Sequence, residues 1–264
     1  MSEKSVGTLY GVSLGPGDPD LMTRYAWSLL QRSDAFWTYP VRSKKSDSYA
    51  LDIALRAGLS LPAASQALVF PMTHDQAKLA KYWLQAAEII LERLQDGQDV
   101  LFLVEGDAST YSTFAYLART VISLDASIHV ETVAGVCSFN AAAARLQTSL
   151  ADTDDTIAII PASYGVSVIE EMLAQFDTLV LLKVKPLLDE IIDLLVRRNL
   201  IAHSQFIEKA GAPDEHMVRD VLTLKGQKVN YLSLMLVKNP GRERGKIIRG
   251  CRKKPATEKT GVLA

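Results

Sequence analysis

"VLFLVEGDASTYSTF" (residues 100–114) decides the fold. Val100–Val104 is a short apolar run of strand character. It breaks off in Glu105-Gly106-Asp107, followed by small hydroxyl residues and Tyr111. "TLYGVSLGPGDPDLMT" (8–23) breaks in the same way at Gly15-Pro16-Gly17-Asp18. "HVETVAGVCSFNAAAARL" (129–146) does so at Ala134-Gly135, with Ser138 opening a small-residue helix. Ligands of open α/β sheets bind beyond the carboxyl ends of the strands. Glycine there lets backbone approach a ligand closely. The corners therefore read as walls of one site.

Around them, short apolar runs alternate with helical patterns, which argues for an α/β architecture. Strands are expected at residues 9–14, 35–39, 100–104, 128–133, 156–160, 178–182, 205–207 and 231–237. Residues 19–32 and 76–95 repeat apolar positions at helical spacing, and Ile191, Leu194 and Leu195 do so after Pro186. Asp96-Gly97 is a helix stop. Asp18 suits an N-cap and Pro19 the first helical position. The segment 123–127 gives the expected boundary: an N-terminal α/β domain over 1–123, a C-terminal one over 124–240, and a basic tail over 241–264.

Composition narrows the function. The 264 residues carry a formal net charge of −1, unlike the strongly basic balance of a dedicated nucleic-acid binder. The two cysteines, Cys137 and Cys251, and four histidines show no zinc spacing, so no metal site is expected. With no disulfide framework, a reducing compartment is expected. No signal-like N-terminus or membrane-length apolar run occurs, so the chain reads as a soluble cytoplasmic protein. The glycines at 11, 15 and 17 have the wrong spacing for a dinucleotide fingerprint. No Gly-Lys-Ser/Thr follows them, so a phosphate loop is also excluded.

The corners, with "FPMTHD" (70–75), "LVLLKV" (179–184), "IEKAGAPDE" (207–215) and "YLSLMLV" (231–237), resemble the tetrapyrrole methylases in motif and order. The likeness runs from Gly7 to Lys238. Within that family it is closest to the precorrin-2 and cobalt-factor II C(20)-methyltransferases of cobalamin biosynthesis. It implies a two-domain α/β methylase fold of the class III type, with the active-site cleft between domains. It implies S-adenosylmethionine as cofactor, a polycarboxylate tetrapyrrole as substrate, and a homodimer. Carried onto this chain, the cofactor positions are Pro16, Glu105, Gly106, Asp107, Thr110, Cys137, Ser138, Leu182, Lys183, Ala210, Tyr231 and Ser233. The substrate positions are Gly15, Pro16, Gly17, Asp18, Met72, Thr73, Tyr111 and Lys185. The chain departs from the family where Ala108 and Ala134 replace prolines, Cys137 a serine and Lys185 a glycine. A proline at 108 is expected to be compatible.

Methyl transfer to a ring carbon requires a proton to leave afterwards. Glu105, Asp107, Tyr111, His74 and water are all candidate acceptors. Arg42, Lys44, Lys45, Arg145 and Lys185 are candidate partners for substrate carboxylates. Two other classes stay open at this level: a tetrapyrrole methylase acting at another ring carbon, and a non-catalytic binding homologue.

Overall fold

The computed structural model describes residues 6–73 and 75–245. His74, Cys251 and the tail beyond 245 lie outside the described residues. In chain order the elements are β1 (Thr8–Ser13), α1 (Arg24–Leu30), β2 (Phe36–Val41), α2 (Tyr49–Arg56), β3 (Ser65–Val69), α3 (Gln76–Gln95), β4 (Val100–Val104), α4 (Phe114–Leu124), β5 (His129–Val133) and α5 (Ser138–Leu146). Then follow β6 (Ile157–Pro161), α6 (Val166–Leu173), β7 (Thr178–Leu182), α7 (Leu188–Arg197), β8 (Ser204–Glu208), β9 (His216–Val218) and β10 (Ser233–Lys238).

Two five-stranded sheets result. The first, ordered β3-β2-β4-β1-β5, is parallel throughout. Its central β4 is buried at every position, as a strand covered on both faces must be. The second, ordered β6-β7-β10-β8-β9, pairs β6 and β7 in parallel and the rest antiparallel. Each sheet has its own core: Phe102, Phe114 and Ile90 in the first, Phe206, Leu194 and Met235 in the second.

The eight expected strands form, within a residue or two at their ends. Two more, β3 and β9, are edge strands. The helix expected over 19–32 is split. Asp18 caps a single 3-10 turn at Pro19–Leu21, and Thr23 recaps the chain to start α1. β5 pairs with β1 over Thr8–Val12. A boundary at 123/124 would cut this strand from its sheet, so we propose that the division falls between β5 and β6.

Two arginines of the basic tail are tied down. Arg242 donates to Asp177 at 2.6 Å, and Arg244 donates to Asp177 at 2.8 Å and to Asp155. Lys238 also reaches Asp155, at 3.3 Å.

Candidate functional site

The carboxyl ends of β1, β4 and β5 are knotted together. The Gly15 N–H donates to the Gly106 carbonyl at 3.2 Å, and the Gly106 N–H returns the bond to Gly15 at 2.7 Å. Both glycines are left-handed, at φ +77° and +75°, a conformation costly for other residues. The Ser13 hydroxyl accepts the Ala108 N–H at 2.8 Å and donates to the Val133 carbonyl at 2.5 Å, joining all three strand ends. The two corners first seen as separate breaks in the sequence are thus one bridged structure.

Asp107 fixes the next turn. One carboxylate oxygen accepts the Gly135 N–H at 2.8 Å. The other accepts the Ser109 N–H at 2.9 Å, the Thr110 hydroxyl at 3.2 Å and the Ser109 hydroxyl. Burial alone would raise its pKa, but the donors outweigh burial and hold it below the ordinary carboxylate range. A carboxylate so occupied is a poor proton acceptor. Asp107 organises the loop.

Glu105, two residues earlier, is the opposite case. Its side chain faces the open cleft and accepts no protein hydrogen bond among the described residues. The residue is exposed at the cleft, while its carboxyl group is set close against surrounding protein. That burial raises its pKa, with partial opposition from Arg42 and Lys183.

The cleft holds about 680 Å³ and draws walls from both sheets. The second sheet contributes the ends of β7 and β8 and the start of β10. Lys183 N–H donates to the Ser233 carbonyl at 2.9 Å, and Lys209 N–H to the Leu232 carbonyl at 2.7 Å. Three non-glycine residues of the wall are left-handed: Tyr111 at φ +50°, Lys183 at +56° and Lys209 at +53°. Strained backbone of this kind gathers at ligand sites. The Tyr231 ring lies 5.6 Å from the Arg42 guanidinium and 5.7 Å from the Lys183 ammonium, so cations of both sheets meet on one aromatic.

All twelve residues expected at the cofactor line this cleft. Of those expected at the substrate, Pro16, Met72, Tyr111 and Lys185 line it, and Gly15, Gly17, Asp18 and Thr73 do not. Gly17 lies at the seam, where a Cβ would come within 2.8 Å of the Ala210 carbonyl oxygen. Asp18 receives Arg145 at 2.6 Å. Arg145 also reaches Glu215 at 3.6 Å, so it ties α5 to the first corner and is spent there. Lys44 and Lys45 sit on an exposed loop, while Arg42 and Lys185 line the cleft. The Tyr111 hydroxyl donates across the cleft to the Ile159 carbonyl at 3.1 Å. The Cys137 thiol donates to Thr110 at 3.6 Å, and burial raises its pKa, which keeps it a thiol. Among the described residues no cluster of metal-ligating side chains occurs.

Sequence reasoning missed Ser13, Tyr49, Lys209 and Asn230. Tyr49 donates to the Pro16 carbonyl at 3.2 Å. Ser13 sits just before a corner already singled out, which was the one available signal. The others reach the cleft only through tertiary folding.

Two observations bear on what the cleft holds. A Cβ on Gly106 would meet nothing within 4 Å, so the backbone there is open to a ligand. The Ser233 hydroxyl, in a residue 6% exposed, has no hydrogen-bond partner among the described residues. A buried polar group of that kind calls for one. These are features of an α/β protein that encloses small molecules between the strand ends of two sheets.

The chain belongs to the tetrapyrrole (corrin/porphyrin) methylases, whose family model matches residues 8–225. It is 32% identical over 232 residues to the cobalt-precorrin-2 C(20)-methyltransferase of Salmonella typhimurium, covering 88% of this chain and 96% of that one. It is 31% identical over 239 residues to the probable cobalt-precorrin-2 C(20)-methyltransferase of Methanocaldococcus jannaschii, covering 89% and 97%. The uroporphyrin-III C-methyl transferase of Thermus thermophilus, solved with S-adenyl homocysteine, shares the fold at TM-score 0.58 and 22% identity, covering 88% and 97%. A cobalt precorrin-4 methyltransferase does so at 0.63 and 21%, covering 88% and 94%.

Proposed function

We propose that this chain transfers a methyl group from S-adenosylmethionine to carbon 20 of precorrin-2 or cobalt-factor II in cobalamin biosynthesis. The observation that carries this reading is the end-to-end likeness to two relatives named for that reaction. Precorrin-2 and cobalt-factor II stand as equal substrates here, because the residues discussed address the cofactor and the ring's rim.

The cleft suits the donor. The open backbone at Gly106, the turn held by Asp107, and the walls at Cys137–Ser138, Leu182–Lys183 and Ala210 would hold it, with the Ser233 hydroxyl free to bond it. When bound, S-adenosylmethionine supplies an activated methyl on a sulfonium. The chain's own part is to orient and to exclude water, which contributes several kcal/mol where the reacting atoms are held in line. Arg42 and Lys185, both on the cleft wall, are placed to meet the substrate's carboxylates. The family resemblance supports a cytoplasmic homodimer. Among the described residues no helix is long and apolar enough to cross a membrane.

The test offers precorrin-2 and cobalt-factor II in parallel, anaerobically, with methyl-labelled donor, and locates the label by carbon NMR. Label at carbon 20 is expected. Label elsewhere would assign the chain to another position of the ring. No transfer with donor bound would make it a binding homologue.

A further inference from the structure

Methylating a ring carbon leaves a proton to remove. The new bond joins carbon 20 to the methyl carbon, while the old carbon–sulfur pair stays on sulfur. Carbon 20 then carries both its hydrogen and the methyl, and the ring bears one added positive charge. The C20–H bond must break, with its electron pair returning to the ring and its proton going to an acceptor.

Three side chains near the strand-end corners have the chemistry, and geometry separates them. Both Asp107 oxygens are occupied by loop donors. The Tyr111 hydroxyl donates to Ile159 across the cleft. Glu105 alone ends the buried central strand with its carboxylate turned into the cleft and unpartnered by any described donor. We propose that Glu105 is the catalytic residue that takes the proton from carbon 20.

This rests on the methyl-transfer reading and deepens it. The charged and titratable groups facing Glu105 are few. Arg42 follows β2, Lys183 follows β7, and Tyr49 belongs to α2. The two cations oppose the upward push of burial on its pKa. Burial makes it more basic than an ordinary glutamate, the direction that favours a general base. Tyr49, its own pKa pushed up to about 12 by burial first and by Glu105 second, stays neutral and does not compete for the proton. Asp47, Lys185 and Lys209 also line the cleft; Asp47 sits exposed on the loop after β2, and Lys209 is engaged with Asp214.

The test compares wild type with Glu105→Gln and Glu105→Asp in three readouts: turnover against pH, the isotope effect of deuterium at carbon 20, and calorimetric affinity for S-adenosylhomocysteine. Turnover of Glu105→Gln is expected to fall ~100-fold. The wild-type loss of activity on the acid side should vanish, a primary isotope effect should appear, and donor affinity should fall far less than turnover. Glu105→Asp keeps a carboxylate one methylene shorter. It should retain part of the turnover and the acid limb, and it carries the test if the glutamine variant fails to fold. Unchanged turnover and pH profile in Glu105→Gln would overturn the proposal, as would a loss explained by donor affinity alone. Either result leaves the transfer reading intact as long as wild type labels carbon 20. Absence of wild-type labelling would break that reading instead.

Discussion

Two acidic clusters of this molecule use the same chemistry to opposite ends. Asp155 and Asp177 lie at the foot of the second sheet, and Arg242, Arg244 and Lys238 converge on them. The Thr156 N–H and hydroxyl complete the shell of Asp177 at 2.8 and 2.9 Å. At the cleft, Asp107 is saturated by its own turn and by Gly135 after β5, while Glu105 has no hydrogen-bond partner among the described residues. A carboxylate given every partner it can use stabilises structure, and one given none is free to act on a ligand. Changes at the two clusters should therefore separate stability from binding.

The largest effect is expected from Gly106→Val. The left-handed backbone costs a non-glycine residue about 1–2 kcal/mol, and the branched side chain would enter the open space at φ +75°. Calorimetry with S-adenosylhomocysteine should show affinity falling by more than about tenfold. Asp107→Ala comes next. It strands the Gly135 and Ser109 N–H groups, and a lost buried partner costs about 1–3 kcal/mol. Affinity and melting temperature should both drop. Asp99 is the contrasting site. It is tied to Thr8 at 2.7 Å and Arg32 at 2.8 Å, outside the cleft, so Asp99→Ala should lower melting and leave donor affinity alone. Equal donor affinity in all three variants would dissolve the assignment of the corner to the cofactor.

Asp177→Ala tests the other cluster. Removing the shared acceptor of Thr156, Arg242 and Arg244 should cost about 2 kcal/mol of stability, with donor affinity unchanged. The pH dependence sharpens this. For Asp177 burial pushes upward, but the Thr156 bonds and the two arginines outweigh it and hold the folded pKa well below the ordinary value. The unfolded chain takes up its proton first, near pH ~3.9. Stabilisation from Asp177 is thus whole above that value and is lost as pH falls below it. Urea titrations at pH 7 and 3 should show the gap between wild type and Asp177→Ala starting to narrow at the lower pH, where the unfolded chain is protonated and the folded carboxylate still ionised.

The same contrast explains what was legible in the sequence. Strands buried on both faces, such as Val100–Val104 and Thr178–Leu182, announce themselves as apolar runs, and the glycines mark where the backbone must turn. The edge strands did not. Ser65–Val69 is half polar and His216–Val218 only three residues long, and edge strands need no continuous apolar face. The corner residues of the cleft were readable because local turn chemistry places them. Partner choice was not. Nothing in the spacing of Asp18 and Arg145, 127 residues apart, reveals that the arginine is spent on the first corner and not on substrate. Nor does the sequence distinguish the occupied Asp107 from the free Glu105, since the difference lies in Gly135 and in loop closure.

The smallest effect concerns Ala108, where the family resemblance implied that proline would fit. The Ala108 N–H donates to the Ser13 hydroxyl in the buried corner, and proline has no N–H to give. The lost bond is worth about 0.5–1.5 kcal/mol. A compatible proline returns about 0.4–1 kcal/mol through the unfolded chain. Ala108→Pro should therefore be neutral to destabilising by about 1 kcal/mol, a small drop in melting temperature with the fold kept. Ser13→Ala removes the same bond from the other side, along with the bond to Val133. In the double variant the shared bond is lost only once, so the two costs should fall short of additivity by about 1 kcal/mol. Strict additivity in denaturant titrations would mean that Ser13 and Ala108 do not hold the corner together.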